Sequence, residues 1–133
     1  MGYILDTNIC IYIIKKKPKV VFDRLQGISP NQIFISTITL AELEYGIEKS
    51  SFPDKNRIAL DEFLKLFTIA DFDQLATRHY GEIRSDLEKK GISIGPLDTL
   101  IAAHSKSLNL ILVTNNDFEF ARVEGLQIEN WTK

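Results

Sequence analysis

The sequence has few of the residues that staple a chain or hold soft metals. Among 133 residues there is one cysteine, Cys10, and there are two histidines, His79 and His104. No disulfide can close within such a chain, and a zinc site of the usual Cys/His type lacks its ligands. Four prolines and seven glycines exclude a collagen-like or low-complexity chain. Positive charge is not in excess either: 16 Lys and Arg stand against 18 Asp and Glu, for a net charge of -2. A body that grips polyanions by bulk charge is therefore excluded. No apolar run approaches the roughly 18 residues of a membrane span. The opening Met1-Gly2-Tyr3-Ile4-Leu5-Asp6 lacks the basic stretch of a targeting signal. The expectation is a cytoplasmic protein with no membrane partner.

What is present suits one globular domain over residues 1–133, with 44% hydrophobic and 26% charged residues. Strand and helix signals alternate. Short β-rich runs occur at Tyr3-Ile4-Leu5, Ile33-Phe34-Ile35, Thr68-Ile69-Ala70 and Leu110 to Val113, with an edge strand at Leu126 to Glu129 and Trp131 packed beside it. Between them lie helices over 8–14, with Thr7 or Asn8 as cap, and over 20–25, closed by Gly27. A third follows Ser36-Thr37 and carries Leu40, Leu43 and Ile47. A fourth opens at Pro53 with Ile58, Phe63, Leu64 and Phe67 inward. The longest spans 73–90, with Leu75, Ala76, His79, Tyr80, Ile83 and Leu87 on one stripe and Gly91 at its end. The last spans 98–108 and carries Leu100, Ile101, Ala103, His104 and Leu108. This order predicts an α/β fold, a mostly parallel central sheet with helices on both faces.

Such sheets bind ligands beyond the carboxyl ends of their strands. Asp6 follows the first strand, and Glu42 lies in the helix after the second. Asp98 follows Gly95-Pro96, and Asn116, Asp117 and Glu119 follow the last buried strand. No lysine interrupts these outlets. Gathered carboxylates repel one another and call for a hard divalent cation such as Mg²⁺, which takes one or two carboxylates, waters and phosphate oxygens. Such an ion polarises a phosphoryl oxygen and helps generate hydroxide for in-line attack. Setting aside Asp6, Glu42, Asp98 and Glu119, 14 acids remain against 16 bases. Lys15-Lys16-Lys17 with Lys19, and Arg84 with Lys89-Lys90, are the clusters that would meet phosphates.

Leu5-Asp6-Thr7-Asn8, Ser36-Thr37 to Glu42-Leu43 with Gly46, Gly95-Pro96-Leu97-Asp98 to His104, and Val113-Thr114-Asn115-Asn116 with Glu119 occur in that order. Together with Leu126 to Trp131, they resemble the motifs of the PIN-domain ribonucleases, and among those the VapC toxins of toxin–antitoxin pairs. The resemblance implies a PIN-like fold, a homodimer, and Mg²⁺- or Mn²⁺-dependent cleavage of RNA, with initiator tRNA cut in its anticodon stem-loop. It makes Asp6 and Asp98 the principal metal ligands, with Glu42 ligating or orienting water. Asn116 stands where many relatives carry aspartate, so Asn116, Asp117 and Glu119 compete for the fourth polar place, Glu119 and Asn116 first. Thr7 and Thr114 are expected to bond the carboxylates. A VapB-type antitoxin would block the acidic pocket and supply the contact with operator DNA.

Plainer readings exist for the same residues. Asp6 and Asp98 both suit helix N-caps, Glu42 suits a solvated helix face, and His79, His104 and Cys10 suit packing. A haloacid-dehalogenase-type phosphatase also carries aspartate after its first strand, but this chain has Asn8 where a second aspartate is needed. A non-catalytic PIN scaffold would have no use for mutually repelling acids.

Overall fold

Alternation along three-residue strands builds the molecule. In the computed structural model, which describes residues 2–133, β1 (Tyr3–Leu5) turns Ile4 to one face of the sheet and Leu5 to the other, and both are fully buried. A strand buried on both faces needs helices above and below it. Those helices are α1 (Thr7–Lys15), α2 (Lys19–Gln26), α3 (Thr37–Glu48), α4 (Pro53–Leu64), α5 (Gln74–Lys90), α6 (Pro96–Leu108) and the single turn α7 (Asp117–Phe120). The remaining strands are β2 (Ile33–Ser36), β3 (Thr68–Ala70), β4 (Ile111–Val113) and β5 (Ile128–Glu129).

All four strand pairings are parallel, in the order β3-β2-β1-β4-β5. Leu5, Ile33, Ile35 and Val113 face a core completed by Ile9, Cys10, Ile13, Leu43, Leu60, Phe63 and Trp131. Ile4 and Leu112 face the other way, onto Ile83, Leu87, Ile101 to Ala103 and Phe120. The two apolar clusters are thus the two faces of one sheet. Trp131 closes the first: it is fully buried, edge-on to Tyr3 at 5.7 Å, and its Nε1 donates to Glu129 Oε1 at 3.0 Å.

Of the three cap readings for α1, Asp6 holds and Thr7 and Asn8 do not: Asp6 accepts from Ile9 N at 3.0 Å. Other helix boundaries and inward faces depart from expectation. Helix α6 starts two residues before Asp98, because Pro96 is suited to a first helical turn, and Gly95 is its cap. The N-cap reading of Asp98 is therefore overturned. Ile58 is exposed at 66% because α4 turns Leu60 and Phe63 inward, and two residues are about 200° around a helix. Leu75 and Leu108 are also exposed: Ala76, Ile83 and Leu87 carry the buried stripe of α5, and Leu108 sits on the last turn of α6. Gly91 ends α5 at φ 69°, in the left-handed region as its type predicts. Neither α7 nor the short 3-10 turn Pro30–Gln32 was anticipated, since one turn carries no periodic signal.

Candidate active site

Strand order reverses between β1 and β4, the two neighbours whose connections leave in opposite directions. The crevice outside their carboxyl ends is where such a sheet binds ligands. Asp6 follows β1 there, and its backbone N–H donates to Val113 O of β4 at 3.0 Å. The residue is only 9% exposed. Burial pushes its pKa up to about 6, against hydrogen bonds from Thr114 and the Ile9 amide, with Asp98 and Glu42 raising it further. Capping does not take Asp6 out of the crevice: one oxygen serves the helix while the group stands near other acids.

Asp98, in the first turn of α6, also has its pKa raised, by burial first and then by Glu119 and Glu42. Asp6 is repelled by Asp98 and Glu42, and Asp98 by Glu119 and Glu42, so these four acids share one neighbourhood. No cation stands among the groups acting on Asp6 or Asp98. Glu42 is held across helices by Thr7, whose hydroxyl donates to Glu42 Oε1 at 2.7 Å. Asn116 Nδ2 donates to Glu119 Oε2 at 3.1 Å, so the amide serves to hold that acid. Asp117 points its bonds elsewhere: Asn130 Nδ2 and Lys133 Nζ each lie 3.2 Å from its oxygens, and Lys133 holds its pKa below the usual range. Of the three contenders for the fourth place, Asp117 therefore belongs to the C-terminal tail.

Supporting contacts that the sequence reading did not single out surround the cluster. Tyr12 OH accepts from Asn115 Nδ2 at 2.9 Å, and Asn115 Oδ1 accepts from Asn8 Nδ2 at 3.4 Å, tying α1 to the loop after β4. Buried His104 of α6 meets Ser36, the cap of α3, at 2.8 Å. Ser36 and His104 thus join the helices that carry Glu42 and Asp98. The Asn-rich turn was the available signal for the first network; nothing local signals the second.

An all-oxygen donor set of acids left without a cation fits a hard divalent ion. Among the described residues no group of three or more Asp, Glu, His or Cys side chains is gathered closely enough to hold a metal ion by itself, so an ion here would have to take most of its shell from water and substrate oxygens.

The PIN domain family matches residues 3–126. Ribonuclease VapC2 of Rickettsia felis is 48% identical over the whole of both chains. The tRNA(fMet)-specific endonuclease VapC of Shigella flexneri is 44% identical over 99% of each. A crystal structure of VapBC2 from Rickettsia felis bound to a DNA fragment from their promoter superposes with a TM-score of 0.93, at 47% identity over 98% of this chain and 99% of that one. Fold, crevice and acids define a PIN domain. The chain belongs to that family and, within it, to the VapC branch.

Proposed function

We propose that the chain is the ribonuclease toxin of a VapBC-type toxin–antitoxin pair, cleaving RNA phosphodiesters with Mg²⁺ or Mn²⁺ and acting on initiator tRNA in its anticodon stem-loop. The carrying observation is the cation-free acidic cluster at the switch point, with Asp6 raised to about 6. The names of the relatives point the same way: one is an endonuclease specific for tRNA(fMet).

Asp6 and Asp98 would hold the ion. Bound there, it would offset the clustered charge and polarise a phosphoryl oxygen. Glu42, fixed by Thr7, would orient the attacking water, and Glu119, fixed by Asn116, would complete the acidic wall. Holding the scissile phosphate in line would be the fold's contribution, with Asp6, Asp98 and Glu119 at or before the first turns of α1, α6 and α7 and Glu42 in the middle of α3.

A groove between α1, α3 and α4, lined by Ile11, Ile14, Leu43, Ile47 and Leu60, runs up to Glu42. An apolar antitoxin segment laid in it would end at the acids and close the site. Operator DNA would then be met through the antitoxin, and the toxin would act as a homodimer.

Purified chain, free of antitoxin, should cut initiator tRNA in Mg²⁺ or Mn²⁺ and leave elongator tRNAs whole, with the cut mapped to the anticodon stem-loop. Equal cleavage of all tRNAs would remove the substrate assignment. No cleavage of any RNA would remove the activity.

A further inference from the structure

The proposed nuclease carries an aromatic side chain beside its acids that packs on no core. Phe118 is 80% exposed, more than any other large apolar side chain among the described residues. It immediately precedes Glu119 on α7, a turn fixed from two sides. Phe120 is buried in the core, and Asp117 is bonded to Asn130 and Lys133. With those neighbours anchored, Phe118 is presented outward.

A cation accompanies the ring. The Arg122 guanidinium lies 5.7 Å from the ring centroid, within cation–π range, and its Nη1 donates to Ser93 O at 3.1 Å. Ser93 lies in the segment that leads into α6 and Asp98. Ring and guanidinium are therefore tied to both segments that bear acids of the cluster. In sequence the ring is flanked by Asp117 and Glu119, and Arg122 stands just past the end of α7. A ring with a guanidinium beside it is an amphipathic pair. It suits a nucleotide, which offers a flat π-face to the ring and a phosphate to the guanidinium.

We propose that Phe118, backed by Arg122, is a stacking platform for an unpaired RNA base next to the phosphodiester presented to the acids. This rests on the ribonuclease reading above. Stacking tolerates every base, so the platform selects for single-strandedness rather than for sequence.

The test uses a hairpin RNA with 2-aminopurine in its loop. Phe118→Ala should raise KM about ten-fold and leave kcat within about two-fold, as loss of one base stack predicts. Phe118→Trp should restore KM. In a cleavage-dead Asp6→Asn background the fluorescence change on binding should depend on an aromatic residue at 118. Phe52→Ala, which removes an exposed ring at the start of α4, is the control for loss of any surface aromatic. An unchanged KM in Phe118→Ala overturns the platform, as does a loss that Trp does not rescue. So does a defect that appears only as weaker antitoxin binding or a changed oligomeric state. If the wild type cuts no RNA, the ribonuclease reading fails separately, and the binding signal in the Asp6→Asn background still decides whether position 118 stacks on a base.

Discussion

Thr7 and Glu42 lie 35 residues apart, and the Thr7 hydroxyl donates to Glu42 Oε1 at 2.7 Å. One of the clustered acids is therefore aimed by the helix that begins beside another. Replacing Thr7 with Val removes the donor while keeping the shape. Activity and Mn²⁺ affinity should fall about 10–100-fold, the usual effect of losing a contact that orients a ligand. Thr7→Ser should keep both near wild type. Steady-state cleavage and metal titration of the two variants check this, and an unaffected Val variant would mean that Glu42 does not need the bond.

Asp6 trades stability for its place in the site. Its folded pKa of about 6 lies above the ordinary aspartate value of 3.8, so the native state binds the proton more readily than the unfolded state between those values. In metal-free protein this group's contribution to stability falls as pH rises from about 4 to about 6 and stays low above that. The cost at neutral pH is at most about 3 kcal/mol. Asp6→Asn keeps an oxygen for the Ile9 amide and sheds the charge, so metal-free Tm at pH 7.5 should rise. The gain should shrink near pH 4, where wild-type Asp6 is protonated. Saturating Mn²⁺ should stabilise the wild type and not the variant. A variant less stable than wild type at pH 7.5 would contradict this.

His104 acts in the opposite sense. Burial lowers its pKa below 6.5, so the fold holds it neutral while the unfolded chain protonates. Its contribution is fully present above pH 6.5 and is lost progressively as pH falls from there towards the depressed folded value. In chemical denaturation from pH 7.5 to 5.5, His104→Gln should lose less stability than the wild type, whatever its absolute stability. Equal slopes would show that His104 does not titrate with unfolding.

Trp131, third from the end of the chain, is a core residue. Trp131→Ala should destabilise by about 3–5 kcal/mol, read as a shift in denaturation midpoint, and Trp131→Phe by less. A loss under about 1 kcal/mol from the alanine variant would show that the tail is dispensable to the first core.

The sheet was legible because three or four consecutive β-rich residues, bounded by polar turns, recur before every crossover. Asp6 and Asp98 stood out in the sequence because one follows a strand and the other opens a helix, and Glu42 because it lies in the helix after the second strand. What stayed hidden was relational. The reading of Asp6 as a cap holds, and it leaves the proposed site role available, since one carboxylate has two oxygens. Asp98 looked like a cap only because Pro96 had not been counted as the first helical residue. The sequence ranks Glu119 and Asn116 ahead of Asp117 but does not show what occupies Asp117, which the C-terminal Asn130 and Lys133 pair with. Nothing in the sequence separates Phe118 from Phe120; the rotation of α7 puts Phe120 inside and Phe118 outside.

The most direct measurement is cleavage of a total tRNA pool in Mg²⁺ or Mn²⁺ by purified wild type, Asp6→Asn and Asp98→Asn, each shown to be folded by circular dichroism. The account predicts a discrete fragment from the wild type and none from either variant, at a deficit of at least about a hundred-fold for groups acting as one unit. A folded Asp6→Asn or Asp98→Asn protein that cuts at the wild-type rate would contradict it.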